Sequence, residues 1–235
     1  MNPALAGVAL AVLAGAIVAV AARDSRAAVV GLAATLILAP LVAAPVGSSL
    51  GLAARLAGAV LGAYLLWVAV RGGAPTGGSR IGWPAETLLG LSGLVVGFGT
   101  HGLGADPLGP AEAQAAGFAL AALAVVPVAT GRDVVRLGTG LFVLLQGALL
   151  VRVGLGGTPG ELEQLATAAL VAAVGGSVAV LAYAARSDGG GFELADDRRP
   201  RLRRPADARP VTPVRPRQSD APGHSGHPGP TDTGR

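Results

Sequence analysis

Three side chains in this sequence could carry chemistry at membrane depth. Gln146 is a lone amide in the apolar run "LFVLLQGALLVRVG", and Glu86 and His101 flank the glycine-rich run "GLSGLVVGFG". An ion or proton path through a bundle needs ionisable groups inside it, where they are costly and therefore tend to be functional. No Asp, Glu, Arg or His stands at the centre of an apolar window: Asp24, Asp133, Glu161 and Glu163 fall in loops, and Asp106 and Glu112 flank a connection. Gln146 cannot titrate, so its expected role is an interhelical hydrogen bond, worth about 0.6–2 kcal/mol in membrane systems. Glu86 is expected in the first turn of a helix, where free N–H groups and the helix dipole favour a carboxylate cap. The functional alternative makes it the acid at the cytoplasmic mouth of a pathway, with His101 as its counterpart.

Other chemistries find no residues to use. There is no cysteine, which removes disulfides, iron–sulfur clusters and thiolate metal sites. His224 and His227, in "HSGH", are too few for a metal centre, and no nucleophile stands beside a base. The glycines from Gly90 to Gly104 lack the strand before and the basic residue after them that a nucleotide-binding loop requires. The chain is therefore expected to be no enzyme, with no catalytic residue, cofactor or metal.

The elements that would hold these residues are apolar helices. Of 235 residues, 51% are hydrophobic, 3% aromatic and 14% charged, and the mean hydropathy is +0.58. That composition fits an all-α, polytopic membrane bundle rather than a soluble core. Seven windows are long enough to span: Ala4 to Ala22, Ala27 to Ala44, Leu52 to Val70, Ala85 to Gly99, Ala113 to Ala129, Val134 to Val151 and Leu165 to Ala185. The fourth is the weakest, diluted by glycine; Trp83-Pro84 ahead of it reads as an interfacial anchor and a first-turn proline. The first is expected to stay as a helix rather than leave as a signal peptide, because "MNPALAG" has no positive charge.

Arginine placement gives the orientation. With the N-terminus outside, the inner connections hold Arg23, Arg26, Arg71, Arg80, Arg132, Arg136 and Arg186, while Arg55 and Arg152 lie outside within snorkelling reach of an interface. Residues 1–186 thus read as an N-out, C-in bundle of seven helices. Residues 187–235 read as a disordered cytoplasmic tail, rich in Pro, Gly, Arg and Asp and unable to repay its ordering entropy. Ten of the 18 Arg lie from Arg186 onward among seven of the 14 acids, so the basic excess makes no nucleic-acid face. The tail's "RRPRLRRP" is either a solvated topology signal or a contact for anionic lipid or an acidic protein. All basic residues are Arg, and with the Ala, Gly and Pro excess this reads as a GC-rich bacterial coding bias. The expected location is therefore the inner membrane of a bacterium.

Two spacings bear on helix packing. Gly58 with Gly62, and Gly93 with Gly97, are GxxxG pairs that let helix backbones approach closely in lipid. The stretches "RDSRAAVVGL" from Arg23 and "RDVVRLGTGL" from Arg132 share Arg-Asp at the inner end of a span and Gly-Leu eight residues later. A parallel internal repeat would produce that echo.

The run "RDVVRLGTGLFVLLQGALLVRVGLGG", followed by "LATAALVAAVGGSVAVLAYAAR", resembles the second and third helices of the K-type membrane subunit of complex I. It is also similar to the E component of hydrogenase-4 and the C-type subunit of multisubunit cation antiporters. "RDSRAAVVGLAATLIL" looks more like the corresponding part of the J-type subunit. The resemblance implies a place among other membrane subunits of such an assembly. K-type subunits carry a glutamate in each of those two helices, which by the surrounding pattern would fall close to Gln146 and Val171. An amide and a valine cannot pass a proton, so the resemblance implies a non-catalytic, accessory position. A stand-alone small-solute transporter or channel built on Glu86, and a scaffold that recruits partners through its tail, are the competing expectations.

Overall fold

The computed structural model describes residues 2–43, 49–71, 82–103, 107–131 and 133–187. Among these residues all regular structure is helical: α1 (Pro3–Ala21), α2 (Ser25–Val42), α3 (Ser49–Val70), α4 (Trp83–Thr100), α5 (Ala111–Thr130), α6 (Val134–Gly156) and α7 (Glu161–Ser187). Six of them, all but α4, are long and apolar enough to cross a membrane. In α4 the four glycines and the opening Trp-Pro-Ala-Glu hold the hydropathy down. The proposed tail, with Arg80 and Arg132, lies outside the described residues.

Several helices run beyond their apolar windows. α3 begins at Ser49 rather than Leu52, α7 at Glu161 rather than Leu165, and α6 continues past Val151 to Gly156. A first turn needs acceptors for its free N–H groups rather than apolar side chains, so hydropathy places such ends too far inward. Three starts show the acceptor directly: Asn2 accepts from the Ala4 N–H, Asp24 from Arg26 and Asp133 from Val135. α4 starts from Gly82, whose φ of +92° suits a residue without Cβ, and has proline in its first turn.

Consecutive helices are held by close backbone approach. A Cβ added at Gly31 would come within 2.7 Å of the Gly15 carbonyl and the Ala19 nitrogen across the α1–α2 hairpin. In the α5–α6 hairpin Gly117 and Gly147 face each other, each Cβ position within 3 Å of the other's carbonyl. In the sequence both connections end in Arg-Asp, and Asp24 and Asp133 each cap the helix that follows. Gly31 meets Val18 and Ala19; Gly140, at the same spacing from its Arg-Asp, meets Pro127 and Val128, the matching positions of the preceding helix.

α3 and α7 pack in parallel, with Gly51, Gly58 and Gly62 of α3 facing Gln164, Ala168 and Val171 of α7 in order. α1 lies beside α5, α2 beside α6 and α3 beside α7. Each of these pairs is parallel, because both hairpins and the α3–α7 pair run in matching directions. This is the layout of two three-helix units in one orientation, with α4 joining them in sequence and packing antiparallel on α5 through Gly93 and Gly97. The centre is filled by Leu32 and Leu36 of α2, Leu120 and Leu123 of α5 and Phe142 and Leu150 of α6. α7 is peripheral: 22% of its apolar window is buried, against 61% for α5.

Candidate functional site

Among the described residues the charged side chains gather at the two ends of the bundle. At the end carrying the Asp24 and Asp133 caps, Glu86 sits in the first turn of α4 and is fully buried. Its Oε1 lies 3.9 Å from Nη2 of Arg136 on α6, an ion pair too long for a hydrogen bond. A carboxylate expected to serve its own helix is thus also part of an interhelical charge contact. Its place in the first turn stands as expected; the contact with α6 is the addition. Arg136 comes from the first turn of α6, brought near by the Asp133 cap.

At the opposite end, α4 is tied to α5. His101 Nδ1 donates to Gln114 Oε1 at 2.8 Å, and Gln114 Nε2 donates to Thr100 Oγ1 at 3.2 Å. That direction requires the Nδ1–H form of the imidazole. Gln114 is buried against Gly154 of α6, where a Cβ would meet its own at 2.6 Å. Beside it, buried Glu112 accepts from the Asn2 backbone N–H at 3.0 Å, joining the starts of α1 and α5. Glu86 and His101 therefore belong to different clusters. They lie at opposite ends of α4, about 22 Å apart at the rise of an α-helix.

The same end carries a third cluster. Arg152 Nη2 pairs with Glu163 Oε2 at 2.9 Å, and Arg55, Gln164 and Thr167 line the same cleft. Arg55 is only 8% exposed. Rather than snorkelling outward from α3, it turns in toward α6 and α7, because Gly51 and Gly58 bring α7 against that face.

Between these ends Gln146 is buried on α6, as is Thr35 on α2, whose hydroxyl donates to the Gly31 carbonyl at 3.0 Å. Gln146 is 3% exposed, and its Oε1 is buried with no hydrogen-bond partner. The expected interhelical bond is not made through that oxygen. Val171, the other position singled out by the family resemblance, is packed on Gly62. Among the described residues, no ionisable side chain falls in the middle third of any helix. Of the topology-setting arginines, Arg23, Arg26 and Arg71 are exposed at one end, and Arg186 falls in the last turn of α7. Among the described residues no three His, Asp or Glu come together as a metal site.

Sequence reading alone missed Gln114 and Gln164, and it placed Glu112 beside a connection with no role. Each is a polar residue within the first turn of a helix, the position a hydropathy window discards. No family model, no curated protein and no solved structure matches the chain.

Proposed function

We propose that this protein is a non-catalytic, multi-pass subunit of an ion-translocating membrane assembly of the complex I, hydrogenase or cation-antiporter kind, N-out and C-in in a bacterial inner membrane. What supports this reading is the outer face of α7. That helix is the least buried of the six apolar ones, and the small residues Ala166, Ala173, Ser177 and Ala184 lie along its exposed face between the exposed Leu162, Leu170, Val180 and Leu181. Small side chains on a lipid-facing helix let a second backbone approach, and packing rather than the hydrophobic effect drives helix association in lipid. The absence of ionisable groups from the middle of every described helix fits a subunit that stands beside the ion path rather than forming it.

Purification in mild detergent from its own host tests the reading. The protein is expected to bring down large antiporter-like membrane subunits encoded by neighbouring genes. Recovery as a lone monomer, with no such genes beside its own, would overturn it.

A further inference from the structure

We propose that the cleft between α3, α6 and α7 binds one phosphate group, carried by the headgroup of an anionic phospholipid or present as free phosphate. The cleft is lined by Arg55, Arg152, Glu163, Gln164 and Thr167, with Leu149 on its apolar wall. Its charges are unequal. Two guanidinium groups face one carboxylate, and that carboxylate is bonded to Arg152 at 2.9 Å. The other donors are spent as well: Gln164 Nε2 on the Pro159 carbonyl at 2.9 Å and Thr167 Oγ1 on the Glu163 carbonyl at 2.7 Å.

Arg55 is the group left over. It is more than nine-tenths buried, it lines the cleft, and among the described residues no hydrogen bond or ion pair reaches it. Glu163 acts on it only through space. A buried cation without a bonded counter-charge is costly, and a planar guanidinium fork matches the oxygens of a phosphate. The enclosed space is about 10 Å³, room for about one water-sized group. It would therefore seat an oxygen against Arg55 and leave the body of the ligand at the mouth.

The level of the cleft favours a lipid as the source. Arg55 lies in the second turn of α3, Arg152 near the last turn of α6, and Glu163 and Gln164 in the first turn of α7. Helix ends at this depth meet the headgroup region, and the Leu149 wall continues inward as an acyl chain would.

The full chain in mixed phosphatidylcholine–phosphatidylglycerol nanodiscs, released for native mass spectrometry, tests the proposal. The wild-type protein is expected to keep phosphatidylglycerol in preference to phosphatidylcholine. Arg55→Gln should weaken that retention about tenfold, the consequence of losing a charge-assisted hydrogen bond. Arg23→Gln, at the other end of the bundle, should leave it unchanged. In detergent without lipid, inorganic phosphate that raises the wild-type Tm but not that of Arg55→Gln supports the same site with free phosphate as the source. Equal retention by wild type and Arg55→Gln overturns the proposal. Should Arg55→Gln fail to fold, the wild type decides alone: no preference for phosphatidylglycerol and no response to phosphate overturns it. Loss of a bound acidic protein on mutation, with neither probe binding the wild type, likewise overturns it in favour of a partner's carboxylate.

Discussion

In the α1–α2 hairpin, Asp24 caps α2 through the Arg26 N–H, and Gly31 lets α2 close against Gly15 and Ala19 of α1. In the α5–α6 hairpin, Asp133 caps α6 through the Val135 N–H, and Gly140 closes against Pro127 and Val128. The cap is shared, and the contents differ. At the spacing where α6 carries Arg136, α2 has Ala27; where α6 carries Gln146, α2 has the half-exposed Ile37. The Asp after each Arg is therefore a device for starting a helix. The polar contacts that tie neighbouring helices together belong mainly to the second hairpin.

The largest effect should separate the two hairpins most clearly. Replacing Glu86 by Met removes the carboxylate from its 3.9 Å ion pair with Arg136 of α6, and loss of one partner of a buried pair costs about 3–5 kcal/mol. Arg136→Met should cost at least as much, since the charge it leaves behind, the Glu86 carboxylate, is 0% exposed against 12% for Arg136. Thermal unfolding in detergent measures both, and Ala27→Met in the first hairpin is expected to match wild type. Next come the glycines. Gly31→Val and Gly117→Val each drive a Cβ into backbone atoms of the facing helix and should each cost about 1–3 kcal/mol. A large loss at one hairpin and none at the other would show that their packing is not equivalent. Below these, Asp24→Ala and Asp133→Ala remove matching N-caps and should each cost about 1 kcal/mol. Smallest is Gln146→Leu, which removes a buried acceptor with no partner and should change stability by less than about 1 kcal/mol.

Helix number and order were legible because each apolar run ends at arginine, glycine or proline. Trp83-Pro84 and Asp133 marked their helix starts for the same local reason. Helix ends were less so: Glu112, Gln114 and Glu163 lower a hydropathy window yet sit in helical first turns. The clusters were legible residue by residue but not as pairs. In an apolar helix both the protein face and the lipid face are hydrophobic, so no periodicity says that Arg55 turns toward α7 or that Glu86 meets α6. Those contacts depend on which glycine row faces which neighbour. Gly58 and Gly62 point to α7, and Gly93 and Gly97 to α5, on identical spacing.

The proposal of an accessory subunit rests on α7 having a partner in the membrane. A photo-crosslinking residue placed at Ala173, on the exposed face of α7, tests that in intact cells, with Leu10 on the exposed face of α1 as the comparison. The account predicts a strong adduct between position 173 and a second, larger membrane polypeptide. Lipid adducts alone at position 173, at the level seen from position 10, would contradict it.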